Sequence, residues 1–272
     1  MHPKLISFES PNFLHSILPE TITIYWYGFL IVIGALLGIV YTAINAKRKY
    51  GLKYDDANTL FLILLVSAII GGKLFYYFED PSYYNDHFNQ LATGRGFVFF
   101  GSLLFTIPCM YWFFKFHKLP VGGMLDIMAI TTCIVHAFGR LGCFMAGCCY
   151  GIPWEGTWSV IFKDNESLAV PLNTNLHPTQ LYSSFMILLI MLILIRISKR
   201  KSFDGQVFLS YLILYSTGRG IIEIFRGDLT RGFIIEHYIS HSQLISFILI
   251  ISCLIIYHRF WSKAKFNPGK EV

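Results

Sequence analysis

Two stretches of this chain gather residues that can do chemistry: HAFGRLGCFMAGCCYG at 136–151 and STGRGIIEIFRGD at 216–228. The first sets His136, Arg140, Cys143, Cys148 and Cys149 at the end of a long apolar run. In the second, Arg219 and Glu223 stand four apart, on one helix face and able to pair, and Arg226 extends that stripe. An arginine inside a membrane span costs on the order of 2.5 to 3.5 kcal/mol, so it is kept for function or snorkels to the interface. Two arginines at one depth on two segments make a clamp for a single anionic group. Phosphate is the obvious anion, because the guanidinium fork matches its oxygens in bidentate fashion.

Further polar groups gather near the same level. HPTQLY at 177–182 places His177, Gln180 and Tyr182 at the start of another apolar run, with Pro178 suited to a first helical turn. YWYG supplies Tyr25, Trp26 and Tyr27, and HSQ supplies His241, Ser242 and Gln243. Each alone reads equally well as an interfacial belt residue or a helix cap. Together they describe a polar cavity. For the cysteine trio, packing is the leading reading. A disulfide, a reactive thiol and a closed zinc site with His136 are the other readings, and the last lacks the usual ligand spacing. Cys109, Cys133 and Cys253 lie inside apolar runs as small core residues.

The elements that must hold these groups are membrane helices. With 54% hydrophobic, 17% aromatic and 14% charged residues among 272, the chain is too apolar for ordinary soluble domains. Seven runs are long enough to span, near 22–44, 58–78, 98–114, 124–143, 178–196, 205–222 and 240–258. They must be helical, since lipid satisfies no backbone N–H or C=O. The first has no basic n-region and exceeds an h-region, so it is expected to stay in the mature protein. Lysines and arginines follow runs one, three, five and seven, as in Lys47–Lys49 and Lys199–Lys201, which predicts an outside N-terminus and a cytoplasmic C-terminus.

The expectation is therefore an all-α integral membrane protein of seven transmembrane helices, one polytopic domain over 1–272. It carries a small extracytoplasmic head at 144–177, between helices four and five, and a cytoplasmic tail at 260–272. Trp158, Val160 and Phe162 alternate within the head as a short strand does, and 79–97 is a second long polar outer segment. The net charge of +6 reads as topology signal and anionic-lipid contact, not as a nucleic-acid surface.

These motifs in this order resemble the prolipoprotein diacylglyceryl transferase family: WYG at 26–28, GGKLFYY at 71–77 with Lys73 where the family usually has arginine, GRLG at 139–142, HPTQLY at 177–182, RGIIEIFR at 219–226 and SQ at 242–243. The resemblance implies a multi-pass enzyme of the bacterial cytoplasmic (inner) membrane. It would transfer the diacylglyceryl group of phosphatidylglycerol to the lipobox cysteine of a preprolipoprotein and release glycerol 1-phosphate, as a monomer without cofactor or metal. Its catalytic residues would be Arg140, Arg219, Glu223 and His177. Tyr27, Arg140, Gln180, Tyr182, Arg226 and Gln243 would bind substrate. The alternatives are a relative using the same donor on another acceptor, or a non-catalytic lipid-binding or lipid-transporting protein.

Two departures bear on activity. The family signature GRxGNFxNxExxG has Cys143, Ala146 and Cys148 at its two asparagines and its glutamate. GFVFFGSL at 96–103 has Phe100 in place of a family histidine and Ser102 in place of a glycine. If that histidine is a base, phenylalanine cannot replace it. His177, then His136, are the candidates to take its place, unless a thiol beside Arg140 and Arg219 is partly thiolate already.

Overall fold

The computed structural model describes residues 2–9, 21–79, 81, 98–227, 233–235 and 239–266. Among the described residues there are seven helices, α1 (Trp26–Tyr50), α2 (Tyr54–Glu79), α3 (Phe99–Phe116), α4 (Val121–Ala146), α5 (Thr179–Ser198), α6 (Gln206–Glu223) and α7 (His241–Phe266). They coincide with the seven apolar runs. Five, α1, α2, α4, α5 and α7, are long and apolar enough to cross a membrane. The 18-residue α3 is short for a span, and α6, also of 18 residues, carries Gln206, Ser210, Ser216, Thr217, Arg219 and Glu223. α7 continues to Phe266, so the first part of the predicted tail is helical.

Short antiparallel pairs lie before α1 and between later helices. They are β1 (Lys4–Glu9) with β2 (Thr21–Tyr25), β3 (Val160–Ile161) with β4 (Asn175–Leu176), and β5 (Phe233–Ile235) with β6 (Ile239–Ser240). Only β3 was signalled by alternation in the sequence. Most of the predicted outer segment 79–97 lies outside the described residues.

The chain divides into two compact units, residues 1–38 with 128–272, and residues 39–127. In the smaller unit, α1 stops at Gly51, whose positive φ of 69° lets its N–H return to Lys47 O at 3.0 Å. Lys47, Arg48 and Lys49 complement the dipole at that end, and Asp55 and Asp56 do so at the start of α2. α2 and α3 meet backbone to backbone: a Cβ on Gly101 would lie 2.5 Å from Gly71 O, which only glycine avoids. Ser102 Oγ donates to Ala68 O across this contact at 2.9 Å, which gives the serine that departs from the family glycine an interhelical role. Phe100, on α3, is 68% exposed.

In the larger unit the predicted head encloses its own core of Tyr150, Phe162, Ala169 and Leu176. The Tyr150 hydroxyl donates to Val170 O. Burying Phe162 completely contributes about 1.5 to 3 kcal/mol. The N-terminal hairpin is tied to the head by His2 to Asp164 at 2.6 Å and Lys4 to Glu166 at 2.5 Å.

Candidate active site

Every sequence-predicted site residue belongs to the larger unit. His136, Arg140 and Cys143 follow one another at helical spacing along one face of α4. Arg140 Nε donates to His136 Nε2 at 3.1 Å, so that nitrogen is unprotonated and the ring proton sits on Nδ1. The His136 ring lies 5.3 Å from that of Tyr215 on α6. Both Arg140 and Arg219 are close enough to act electrostatically on the imidazole. The two arginines, 79 positions apart in sequence, thus converge on one half-buried histidine.

On α6, Arg219 pairs with the buried Glu223, as the four-residue spacing predicted. Glu223 also takes hydrogen bonds from Ser240 and Ser242. Ser240 is in turn the cap of α7: Gln243 N–H donates to Ser240 Oγ at 3.2 Å, and Ser240 N–H donates to Gln243 Oε1 at 3.0 Å. This reciprocal pair is a capping box. It occupies the Gln243 carbonyl oxygen, leaving that residue's NH₂ for any ligand.

Arg226 arrives differently from the expected helical stripe. α6 ends at Glu223 in tight turns, with Ile224 N–H on Ile221 O and Arg226 N–H on Glu223 O, and Arg226 then forms a β-bridge with Gly151. Pairing with this distant segment, not helix periodicity, brings its charge to Cys149.

His177 stacks on Trp154 at 4.3 Å with an interplanar angle of 7°, and its Nδ1 shares a hydrogen bond with Tyr182 Oη at 3.1 Å. Burial holds its pKa below the ordinary histidine value. Pro178 caps α5 instead of opening its first turn. Gln180, fully buried, donates from Nε2 to Cys148 O at 2.7 Å, and Thr179 Oγ1 donates to Cys149 O at 2.6 Å. The start of α5 therefore fixes the cysteine loop. Gln180 Oε1 is buried without a partner among the described residues.

The cysteine loop is a helix terminus of defined form. Gly147, at φ +79°, ends α4 with Cys148 N–H on Cys143 O at 3.2 Å and Gly147 N–H on Phe144 O at 3.3 Å, a Schellman arrangement. In that motif the residues corresponding to Cys143 and Cys148 habitually touch, and here both are thiols. Cys149, at φ 60°, turns back to join them, and all three Sγ atoms lie within 4.8 Å of one another. None is in a disulfide. The three sulfurs gather although the sequence lacks the usual ligand spacing, because a left-handed turn, not periodicity, sets these positions.

Beside the trio opens a cavity of about 940 Å³, mostly apolar, lined by Tyr27, Gly28, Phe29, Val32, Ala146 and Cys148 among others. Tyr27 reaches α4 because Gly142 has no side chain: a Cβ there would sit 3.1 Å from Tyr27 Cα. Gly28, Gly139 and Gly220, each adjacent in sequence to Tyr27, Arg140 or Arg219, face open space within 4 Å. Tyr215 was missed by sequence reading, although Tyr211, Tyr215, Arg219 and Glu223 recur every four residues along one face. Trp154 and Thr179 carried no local signal.

A model of the family described as prolipoprotein diacylglyceryl transferase matches residues 14–259. A Clostridium tetani protein named phosphatidylglycerol–prolipoprotein diacylglyceryl transferase is 34% identical over 236 residues, covering 86% of this chain and 92% of that one. A Clostridium perfringens protein, the same name with the suffix 2, is 30% identical over 257 residues, covering 91% and 95%. A Clostridioides difficile protein of that name without the suffix is 29% identical over 253 residues, covering 92% and 96%.

Proposed function

The chain belongs to the prolipoprotein diacylglyceryl transferase family, and from that premise we propose that it moves the diacylglyceryl group of phosphatidylglycerol onto the lipobox cysteine of preprolipoproteins, releasing glycerol 1-phosphate. The observation that carries the assignment of roles is the convergence of Arg140 from α4 and Arg219 from α6 on His136. The donor phosphate is held between the two guanidiniums, and Glu223 holds Arg219 in place. As the acceptor sulfur attacks the glyceryl carbon, the carbon–oxygen bond to phosphate breaks and its electron pair stays on the phosphate oxygen. Fixed guanidinium charges stabilise the developing phosphate dianion more than the monoanionic phosphodiester it comes from.

His177, neutral at physiological pH and able to accept a proton, stands with Tyr182 and Gln180 on the acceptor side. Tyr27, Arg226 and the Gln243 amide complete the substrate-binding set. The protein acts as a monomer in the bacterial cytoplasmic membrane, with α1 to α7 as seven spans. Its N-terminus and the head at 144–177 face outward, and the tail from 260 lies in the cytoplasm. Its partners are phosphatidylglycerol, the lipobox-bearing signal peptide and the surrounding lipids, not nucleic acid.

The test is transfer to a lipobox peptide by the purified protein in phosphatidylglycerol nanodiscs. Losing one charged hydrogen-bonding partner typically costs roughly 1.5 to 3 kcal/mol, so Arg140→Ala and Arg219→Ala should each lose at least about ten- to a hundredfold in turnover while still inserting. Glu223→Gln, whose amide oxygen still accepts from Arg219, should keep part of the activity. Near-normal transfer in both arginine variants would overturn the assignment.

A further inference from the structure

Among the described residues, the cysteine trio is the one cluster of nucleophilic side chains that the phosphate clamp does not use. Three features separate it from ordinary packing. Its sulfurs form a triangle, each within 4.8 Å of the other two. A disulfide uses two sulfurs and would leave the third idle. The positions are also held by backbone: the Schellman turn at Gly147 sets Cys148 against Cys143, and Thr179 and Gln180 grip the carbonyls of Cys149 and Cys148 at 2.6 and 2.7 Å. Finally, all three are half-buried, sheltered but reachable, and Cys148 lines the apolar cavity. Arg140 lies one helical turn from Cys143 on the same face of α4.

Three cysteine sulfurs with one open side is the donor set of a catalytic zinc site, where three protein ligands leave the fourth position to water or substrate. Zinc–sulfur bonds of about 2.3 Å set sulfurs roughly 3.8 to 4 Å apart, so the triangle needs to close by about 1 Å at most, within the reach of side-chain rotation. The arginine charges near the trio suit the product of such binding, since three thiolates and one divalent ion carry a net negative charge. His136 is not the fourth ligand in this arrangement, because its Nε2 accepts from Arg140.

We propose that Cys143, Cys148 and Cys149 bind one zinc ion, and that its fourth ligand is the acceptor thiol; the second half rests on the transferase reading above. A metal-bound thiol gives up its proton outright, so the acceptor becomes a thiolate without a dedicated histidine base. The balance is simple. The thiol loses its proton on coordination, to His177 or directly to solvent. Its sulfur then forms a bond to the glyceryl carbon, and the glycerol 1-phosphate oxygen leaves with the electron pair of the broken carbon–oxygen bond. The neutral thioether is a poor zinc ligand and departs. No oxidant or reductant enters. The site also stands beside the cavity that would receive the apolar flank of a signal peptide, within electrostatic reach of the arginine that holds the donor.

The test uses the full-length protein in nanodiscs, reduced and stripped with a chelator, then titrated with Co(II) as a spectroscopic substitute for zinc. One equivalent per chain should bind, with a thiolate-to-cobalt charge-transfer band. Cys143→Ser, Cys148→Ser and Cys149→Ser should each weaken binding by more than the roughly 10- to 100-fold typical of losing an outer-shell group, whereas Cys109→Ser should not. A lipobox peptide, but not its cysteine-to-serine form, should change the band. Transfer should vanish in the stripped protein and return with zinc, and Arg140→Ala should still take up one equivalent of cobalt, more weakly, while failing to transfer. Absence of a stoichiometric band, or full transfer by stripped protein or the triple serine variant, overturns the zinc site and leaves the transferase reading standing. A normal band with no peptide effect and no transfer under any condition overturns the transferase reading, and the acceptor-thiol role with it.

Discussion

At the scale of single residues, the site is organised by which groups hold which. His136 serves Arg140, Glu223 serves Arg219, and His177 belongs to an aromatic nest with Trp154, Tyr182 and Phe225. The last arrangement has a pH signature. Burial lowers the folded-state pKa of His177, so the unfolded chain binds protons more readily there. The stabilisation is complete above the ordinary histidine value of about 6.5 and is lost as pH falls through the lower folded value. Protonation should change the emission of Trp154, read as the difference between wild type and Trp154→Phe, with a midpoint below about 6.5. A midpoint at or above that value would contradict the half-buried stack. The pairs Arg219–Glu223 and His136–Arg140 were available to sequence reading because both are local, four residues apart. The stacking of His177 on Trp154 was not, since 22 residues of head lie between them.

At the scale of elements, glycines divide into two kinds by what surrounds them. Gly71, Gly101 and Gly142 sit at helix crossings where a Cβ would strike another backbone, while Gly139 and Gly220 flank the clamp arginines and face open space. The first kind holds helices together. The second leaves room beside the arginines, which on the transferase reading is where the lipid passes. Gly139→Leu and Gly220→Leu should therefore raise KM for phosphatidylglycerol with little change in melting temperature, whereas Gly101→Leu should lower melting temperature. Equal melting losses in all three, with donor KM unchanged, would remove the distinction. Helix positions themselves were legible, since apolar runs long enough to span leave few alternatives in lipid. The placement of Arg226 beyond α6 was not: the sequence stripe sets it on the helix face, and the β-bridge to Gly151 that holds it is a long-range choice. The same is true of the sulfur triangle, which depends on the left-handed turn at Gly147.

At the scale of the whole molecule, the described residues pair seven helices with a head that has a hydrophobic core of its own. The basic residues after α1, α3, α5 and α7 argue for the C-terminus in the cytoplasm. A green fluorescent protein fused after Val272 should then fluoresce in cells, and a periplasmic or secreted phosphatase fused there should be inactive; the reverse pattern would invert the proposed orientation. The hydroxyl of Ser240 carries a different lesson, for anyone trying to make this protein sturdier. It starts α7 and at the same time contacts Glu223, so a single oxygen serves both scaffold and clamp. The usual route to a firmer helix start, exchanging serine for aspartate, would here set a second carboxylate against the first and loosen the hold on Arg219. Heat resistance gained at that position would be taken from the reaction itself, and selection for either trait alone would keep the serine under tension from both.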